Sequence, residues 1–381
     1  MAAPPDVKTK AENMKHAATV RKPFDGAELD AAVQSLRALA PRDADIDWIA
    51  LRNLYAERGH LNHKEWTQTC ASAERMASIL GGPSNAAFRQ IFERVLVDGG
   101  WDAAVAGSKE RPAGARPWIV LVTGLNGIRK TTSVGMPWFK ELLLQALAEQ
   151  YEGEDRTLLP AGSDSFFRQL DFMMATVALE EFKVLYTIDD VALYAQYKDA
   201  IFARYRTIAE MLGVLLVRAA QAQGVNLMVE TSGRDVGMYK YIEHLQPGDS
   251  YRKLVVNFGI NELAFAERSV DTRMLSEMKL GRAALARAAT DPAGVVKANA
   301  GGPYGSQVLA GVQSDSIKVW KEIVSGSVGD VGYGWLKASI GIEARDGAAW
   351  RAKAQPQQDL QKARPRAEDT KTNAFEFVSA P

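Results

Sequence analysis

The stretch "WIVLVTGLNGIRKTTS", Trp118 to Ser133, constrains the fold more than any other part of the 381-residue chain. A short apolar run opens into a glycine-containing loop, and a helical pattern follows. Such a run suits a strand covered on both faces. The loop follows the phosphate-cradling pattern of Gly, four residues, Gly, Lys, then Ser or Thr. Here it reads Gly124, Leu125, Asn126, Gly127, Ile128, Arg129, Lys130, Thr131, with Thr132 next. The departure is Arg129, which stands where glycine is expected. Inward-turned N–H groups need residues that tolerate unusual dihedrals and close approach. Two readings are open. If the position needs a positive φ, the arginine costs roughly 1–2 kcal/mol and its side chain must leave the loop. If it points inward, it adds a cation to the site or plugs it.

Periodicity organises the rest. "GAELDAAVQSLRAL", "IDWIALRNLYAERG", "HKEWTQTCASAERMASIL" and "NAAFRQIFERVLVDG" space apolar residues as helices do, which predicts a helical region over 25–105. Residues 1–24 are polar, basic and proline-interrupted, and are expected to be a disordered leader. Residues 106–117 read as a Gly/Pro/basic linker, and 351–381 as a disordered, charged tail. Within 118–345, "WIVLVTG", "TLLPAGSD", "VNLMVETS" and "KLVVNFG" are strand candidates separated by helical stretches. Strands alternating with helices imply an α/β fold with a central, mostly parallel sheet, its ligand beyond the carboxyl ends of the strands.

Charge gives no lead to a partner, because Lys plus Arg and Asp plus Glu are equal at 46 each. That balance argues against nucleic acid or an anionic membrane. No apolar run of 18 residues exists to span a bilayer, and no secretory signal is evident, so a cytoplasmic location is expected. One cysteine, Cys70, rules out an intramolecular disulfide framework. His60 and His63, without a third ligand type beside them, are expected to be ordinary surface histidines.

Phosphoryl transfer needs a carboxylate near the metal, a group to take the acceptor proton, and cations on the moving phosphoryl. Lys130 is placed to reach the outer phosphates, and Thr131 to ligate Mg²⁺ through its hydroxyl. Asp164, closing "LLPAGSD", is a candidate base, with a helix N-cap as its plainer alternative. Glu230 and Thr231 end an apolar strand and are candidates for a metal-bound water or the acceptor. Of Arg268, Arg273, Arg282 and Arg287, one or two are expected to touch a ligand. "NAGGPYGSQVLAGVQ", 299–313, is expected to be a Gly-rich connector, with a lid carrying Tyr304 as the alternative.

Taken together, "GLNGIRKTT", "SDSFFR", "GVNLMVETSGRD" and "ERSVDTR" resemble the zeta-toxin-like P-loop kinases over roughly 118–287. The resemblance implies a P-loop nucleoside-triphosphate hydrolase type three-layer sandwich preceded by the helical region. It also implies ATP and Mg²⁺ as cofactors, with Gly124, Asn126, Gly127, Ile128, Arg129, Lys130, Thr131 and Thr132 holding the nucleotide. Asp164 would be the general base, Glu230 and Thr231 would meet the acceptor, and Arg268 and Arg273 would neutralise the phosphoryl. The implied reaction moves the terminal phosphoryl group of ATP to a hydroxyl of a small molecule, a nucleotide sugar being one candidate. The loop is also similar to that of the signal-recognition GTPases, but no guanine-reading Asn/Thr-Lys-x-Asp segment accompanies it, which counts against GTP. The alternative to a kinase is a degenerate P-loop scaffold whose helical region binds a protein partner.

Overall fold

The computed structural model describes residues 6–344, 350–355 and 375–377. Helices lead: α1 (Val7–Thr19), α2 (Gly26–Arg37), α3 (Trp48–Arg58), α4 (Trp66–Leu80), α5 (Ala86–Ile91), α6 (Glu93–Asp98) and α7 (Trp101–Lys109). Strand β1 (Trp118–Gly124) follows, then α8 (Lys130–Val134), α9 (Phe139–Leu147), β2 (Ser165–Arg168), α10 (Leu170–Val177), α11 (Leu179–Leu185) and the long α12 (Val191–Ala222). The chain continues with β3 (Asn226–Glu230), α13 (Gly237–Leu245), β4 (Arg252–Ile260), α14 (Leu263–Leu285), α15 (Pro292–Ala298), α16 (Leu309–Ser325), β5 (Leu336–Ala344), β6 (Trp350–Ala354) and β7 (Phe375–Phe377).

These elements form two compact units. The helical unit comprises Met1–Gly99, Arg168–Ala222 and Asp271–Gly305, and the sheet unit Gly100–Phe167, Gln223–Val270 and Ser306–Pro381. The helical region expected over 25–105 therefore takes in two later segments, while α7 and the expected linker belong with the sheet. Part of that linker is helix, up to Lys109.

In the helical unit, α12 runs 32 residues and is buried on most of its circumference by α1, α3, α4, α10 and α11. The leader expected to be disordered is corrected here, since α1 is a helix. Asp6 caps it by accepting from the Lys8 N–H, and Ala11, Met14 and Ala17 bury one stripe against α12. Lys10 pairs with Glu181 at 2.7 Å, and Lys15 with Asp199. Three apolar residues at helical spacing make a narrow buried stripe, a signal that average polarity conceals. Deep in the same unit, Arg168 meets Glu210 at 2.9 Å, and Lys198 meets both oxygens of Glu277 at 2.7 Å.

His63 corrects the expectation of ordinary surface histidines. It is partly buried, and burial pushes its imidazole down to about 4; Glu210 opposes the shift, while Arg206, Lys64 and Arg168 add to it. Burial works to raise Glu210 as well, but Arg168 and Arg206 beside it prevail and hold it at about 2.

The sheet order is β2-β3-β1-β4-β5-β6-β7. Strands β3, β1, β4 and β5 run parallel, and β6 and β7 return antiparallel. Strand β1 is buried along its whole length, as its unbroken apolar run requires. Two expectations need correction. "TLLPAGSD" is not a strand: it holds two 3₁₀ turns, and the strand begins only at Ser165. Pro160 lacks the N–H a ladder needs, while Phe166 and Phe167 supply the buried side chains. The expected tail contains β6, in which Trp350, Ala352 and Ala354 alternate inward. Residues 356–374 and 378–381 of that tail lie outside the described residues. Among the described residues, no helix is long and apolar enough to cross a membrane.

Candidate functional site

The site is built in the sheet unit, where the chain leaves β1. From β1 the chain passes through α8 and α9 to β2, beyond β3, whereas from β3 it passes through α13 to β4 on the other side of β1. The connections thus diverge between β1 and β3, the kind of switch point where open α/β sheets hold ligands. Register places Val122 beside Glu230, so the end of β3 lies next to the loop leaving β1.

Three loop residues take positive φ: Gly124 at 127°, Gly127 at 83° and Arg129 at 68°. A Cβ on Gly124 would lie 2.2 Å from the Phe258 carbonyl oxygen of β4. One on Gly127 would lie 2.7 Å from the Ala266 carbonyl oxygen and 2.9 Å from Val270 Cγ2, both on α14. Neither position admits a side chain without a shift of backbone. Arg129 settles the question its sequence raised, because its backbone is left-handed and its side chain is exposed. Its guanidinium lies 5.8 Å from the Phe265 ring centroid, a cation–π contact. The loop keeps the glycine-like conformation and turns the arginine out.

Lys130 is 3% exposed, and its ammonium donates to the carbonyls of Gly124 at 2.8 Å and Leu125 at 2.7 Å. Its third close partner is Glu230 Oε1 at 3.1 Å. The Thr131 hydroxyl donates to Glu230 Oε2 at 2.7 Å. One carboxylate therefore spans the lysine and the threonine of the loop. Beside it, the Thr231 N–H donates to Val122 O at 2.9 Å, and the Thr231 hydroxyl accepts from the Gly233 N–H at 3.3 Å. Ile128 is fully buried, and Thr132 is exposed.

These residues fit a nucleotide and a hard cation. By donating its proton to Glu230, Thr131 leaves its oxygen lone pairs for a metal. Mg²⁺ characteristically takes one or two protein oxygens together with phosphate oxygens and water. Such a site needs no cluster of acids and histidines; among the described residues no group of three or more His, Cys, Asp or Glu is placed to hold a metal. Asn126 Oδ1 is buried in the loop and meets no hydrogen-bond partner. With its amide turned over, Asn126 would present two N–H donors to an anion.

Asp164 is not part of this cluster. It precedes β2, and Asn226, the first residue of β3, reaches its carbonyl oxygen at 3.4 Å. Glu230 is the last residue of β3, roughly 13 Å away at about 3.3 Å per residue. The Asp164 carboxylate accepts from the Ala161 N–H at 2.9 Å and the Ser165 hydroxyl at 3.1 Å, and pairs with Lys140 at 2.7 Å. Nor is it the helix N-cap of the plainer alternative, because it closes a 3₁₀ turn, Gly162–Asp164, ahead of a strand and accepts from the N–H of the residue that opens that turn, Ala161.

The arginines divide between the two units. Arg268 is exposed and pairs with Glu262 at 3.3 Å in the sheet unit. Arg273 belongs to the helical unit, where it packs so closely on Gly301 that a Cβ there would lie 2.6 Å from its guanidinium. Arg282 pairs with Asp189 at 2.6 Å. The connector expected over 299–313 is corrected: 299–305 are irregular, with Gly301 and Gly302 buried and Tyr304 half-buried, but a 3₁₀ turn (Ser306–Val308) and the start of α16 make up the rest.

Two supporting features escaped sequence reasoning. The first turns of α14 cover the loop with Phe265, Ala266 and Val270. Behind the loop, the Thr123 hydroxyl donates to Asn257 Oδ1 at 2.9 Å. The signal for the second was present, since Asn257 interrupts the apolar run "LVVNFG".

No family model matches the chain, and no curated protein does. Among solved structures, one from the PezAT chromosomal toxin-antitoxin system of the human pathogen Streptococcus pneumoniae is similar over 66% of this chain and 77% of that one. The identity is 10% and the TM-score 0.35, a loose likeness beside which the site's geometry stands on its own.

Proposed function

We propose that the chain is a P-loop kinase that binds ATP with Mg²⁺ and moves the terminal phosphoryl group to a hydroxyl of a small molecule. The finer fold we infer is the three-layer sandwich of P-loop nucleotide-binding proteins. The observation that carries this reading is the Lys130–Glu230–Thr131 cluster at the divergence of β1 and β3. A cation, a metal-ready hydroxyl and a carboxylate converge on a loop whose backbone holds glycine-like turns. That is the equipment for positioning and charge neutralisation, which account for most of the catalysis of phosphoryl transfer.

In this reading Lys130 and the loop N–H groups would hold the outer phosphates, and Thr131, bonded to Glu230, would hold the metal. When bound, Mg²⁺ supplies charge neutralisation on the phosphate oxygens. The acceptor oxygen would bond to the terminal phosphorus as the bridging P–O bond breaks, ADP leaving with the electron pair and the hydroxyl proton passing to solvent water. Thr231 borders the same opening and is the candidate for acceptor contact. Arg268, exposed on the helix that covers the loop, is the candidate cation for the phosphoryl group. Isothermal titration with ATP and Mg²⁺ tests the reading. Binding is expected for the natural chain, and Lys130→Ala should weaken it at least a hundredfold; absence of binding by the natural chain at millimolar ATP refutes the site.

One observation favours a second reading, a nucleotide-binding scaffold without transfer: Asp164, the sequence's candidate base, is engaged at the other end of β3. The two differ in product. A kinase releases ADP faster in the presence of its acceptor, whereas a scaffold binds ATP and leaves it intact.

A further inference from the structure

Glu230 occupies the partners that a nucleotide would need. An ammonium has three protons, and Lys130 has three close acceptors: the Gly124 carbonyl, the Leu125 carbonyl and Glu230 Oε1. The carbonyls belong to the loop's own backbone, held by the contacts of Gly124 and Gly127 with β4 and α14. Glu230 is the replaceable partner, a side chain about one-quarter exposed at a strand end. A phosphate oxygen gains Lys130 by taking that place. Until then, the carboxylate sets a negative charge at the mouth of the loop and repels polyphosphate.

The second oxygen of the same carboxylate accepts from Thr131. A divalent cation drawn to the free lone pairs of Thr131 would come to rest beside Glu230 and offset its charge. The same event that assembles the metal position would thus release Lys130. We propose that Glu230 is an electrostatic latch, closing the phosphate loop to metal-free polyphosphates and opening it to a nucleotide that arrives with its divalent cation. The latch rests on the nucleotide-site reading above. It goes beyond that reading by giving the resting Glu230–Lys130 pair a selective role. In a cell it would keep the loop clear of metal-free phosphate compounds.

The test measures affinity rather than turnover. ATP is titrated by calorimetry into the natural chain, Glu230→Gln and Glu230→Asp, once with excess EDTA and once with Mg²⁺. Glutamine keeps the size and an oxygen for Thr131 but removes the charge, and aspartate keeps the charge. The natural chain should bind ATP at least tenfold more tightly with Mg²⁺ than without. Glu230→Gln should bind metal-free ATP at least tenfold more tightly than the natural chain, and Glu230→Asp should stay within threefold of the natural chain. Thermal unfolding of each variant checks that the loop's surroundings are intact. If the natural chain binds ATP with Mg²⁺ while Glu230→Gln leaves metal-free affinity within twofold, the latch is refuted and the nucleotide site stands. If the natural chain binds ATP equally well with and without Mg²⁺, the latch is refuted without recourse to a variant. If no form binds ATP in either condition, site and latch fall together.

Discussion

Arg129 allows the loop's conformation to be tested through stability alone. Its backbone lies at φ 68° and ψ 22°, a region that costs a residue with a side chain about 1–2 kcal/mol. Its guanidinium lies over Phe265 at 5.8 Å, and an exposed cation–π contact returns about 0.5–1 kcal/mol. Arg129→Gly removes the strain and loses the contact. It also loosens the unfolded chain, at a cost of about 0.4–1 kcal/mol. The three contributions nearly cancel, so Arg129→Gly should match the natural chain within about 1 kcal/mol. Arg129→Ala keeps the strain and loses the contact, so it should be destabilised by about 0.5–1 kcal/mol. The informative quantity is the difference between the two variants, expected to be about 1 kcal/mol in favour of glycine. Urea denaturation followed by far-ultraviolet circular dichroism reads it as a midpoint difference of roughly 0.3 M or less, since the slope of the denaturant dependence rises with chain length. Should alanine prove as stable as glycine, residue 129 is not held left-handed and the account of the loop fails.

Two further expectations follow from charges placed by the fold. His63 is held at about 4, against an ordinary 6.5, so between those values the unfolded chain binds the proton first. Its contribution to stability is full above pH 6.5 and falls as the pH drops toward 4, by up to about 3 kcal/mol. Denaturation curves at pH 7.5, 6 and 4.5 should show the loss and His63→Gln should flatten it; parallel profiles for the two proteins would contradict the assignment. Asp164→Asn should lower stability by less than about 1 kcal/mol, since its pair with Lys140 is partly exposed. Its affinity for ATP with Mg²⁺ should be unchanged, and a tenfold loss in the same calorimetric titration would mean that Asp164 lies at the loop after all.

Local rules carried the sequence reading as far as the residues that act within one turn or one strand of each other. The unbroken apolar run of β1, the glycine spacing and the Lys130–Thr131 pair are legible because they report backbone geometry at their own positions. Glu230 was legible as a strand end for the same reason. Helix α1 was missed because its buried stripe, Ala11, Met14 and Ala17, is small and needs α12 to give it meaning. Asp164 was of the right chemical type and in the right order along the chain. Its position depended on where β2 begins: a strand ending at 164 would put it at the carboxyl end, beside the loop, whereas a strand starting at 165 puts it at the amino end.

By itself, then, the sequence determined a strand, a phosphate-type loop and an acidic strand end, each a property of residues close in the chain. It also posed the conflict at Arg129 without resolving it. Only the tertiary structure decided that Arg129 turns outward, because Phe265 arrives from a helix more than a hundred residues away. Only it decided that Glu230 bridges Lys130 and Thr131, because that contact requires β3 to lie beside β1 in the sheet. Which charges face one another depends on strand order and register, and those are set by burial of the whole core rather than by any short stretch of chain.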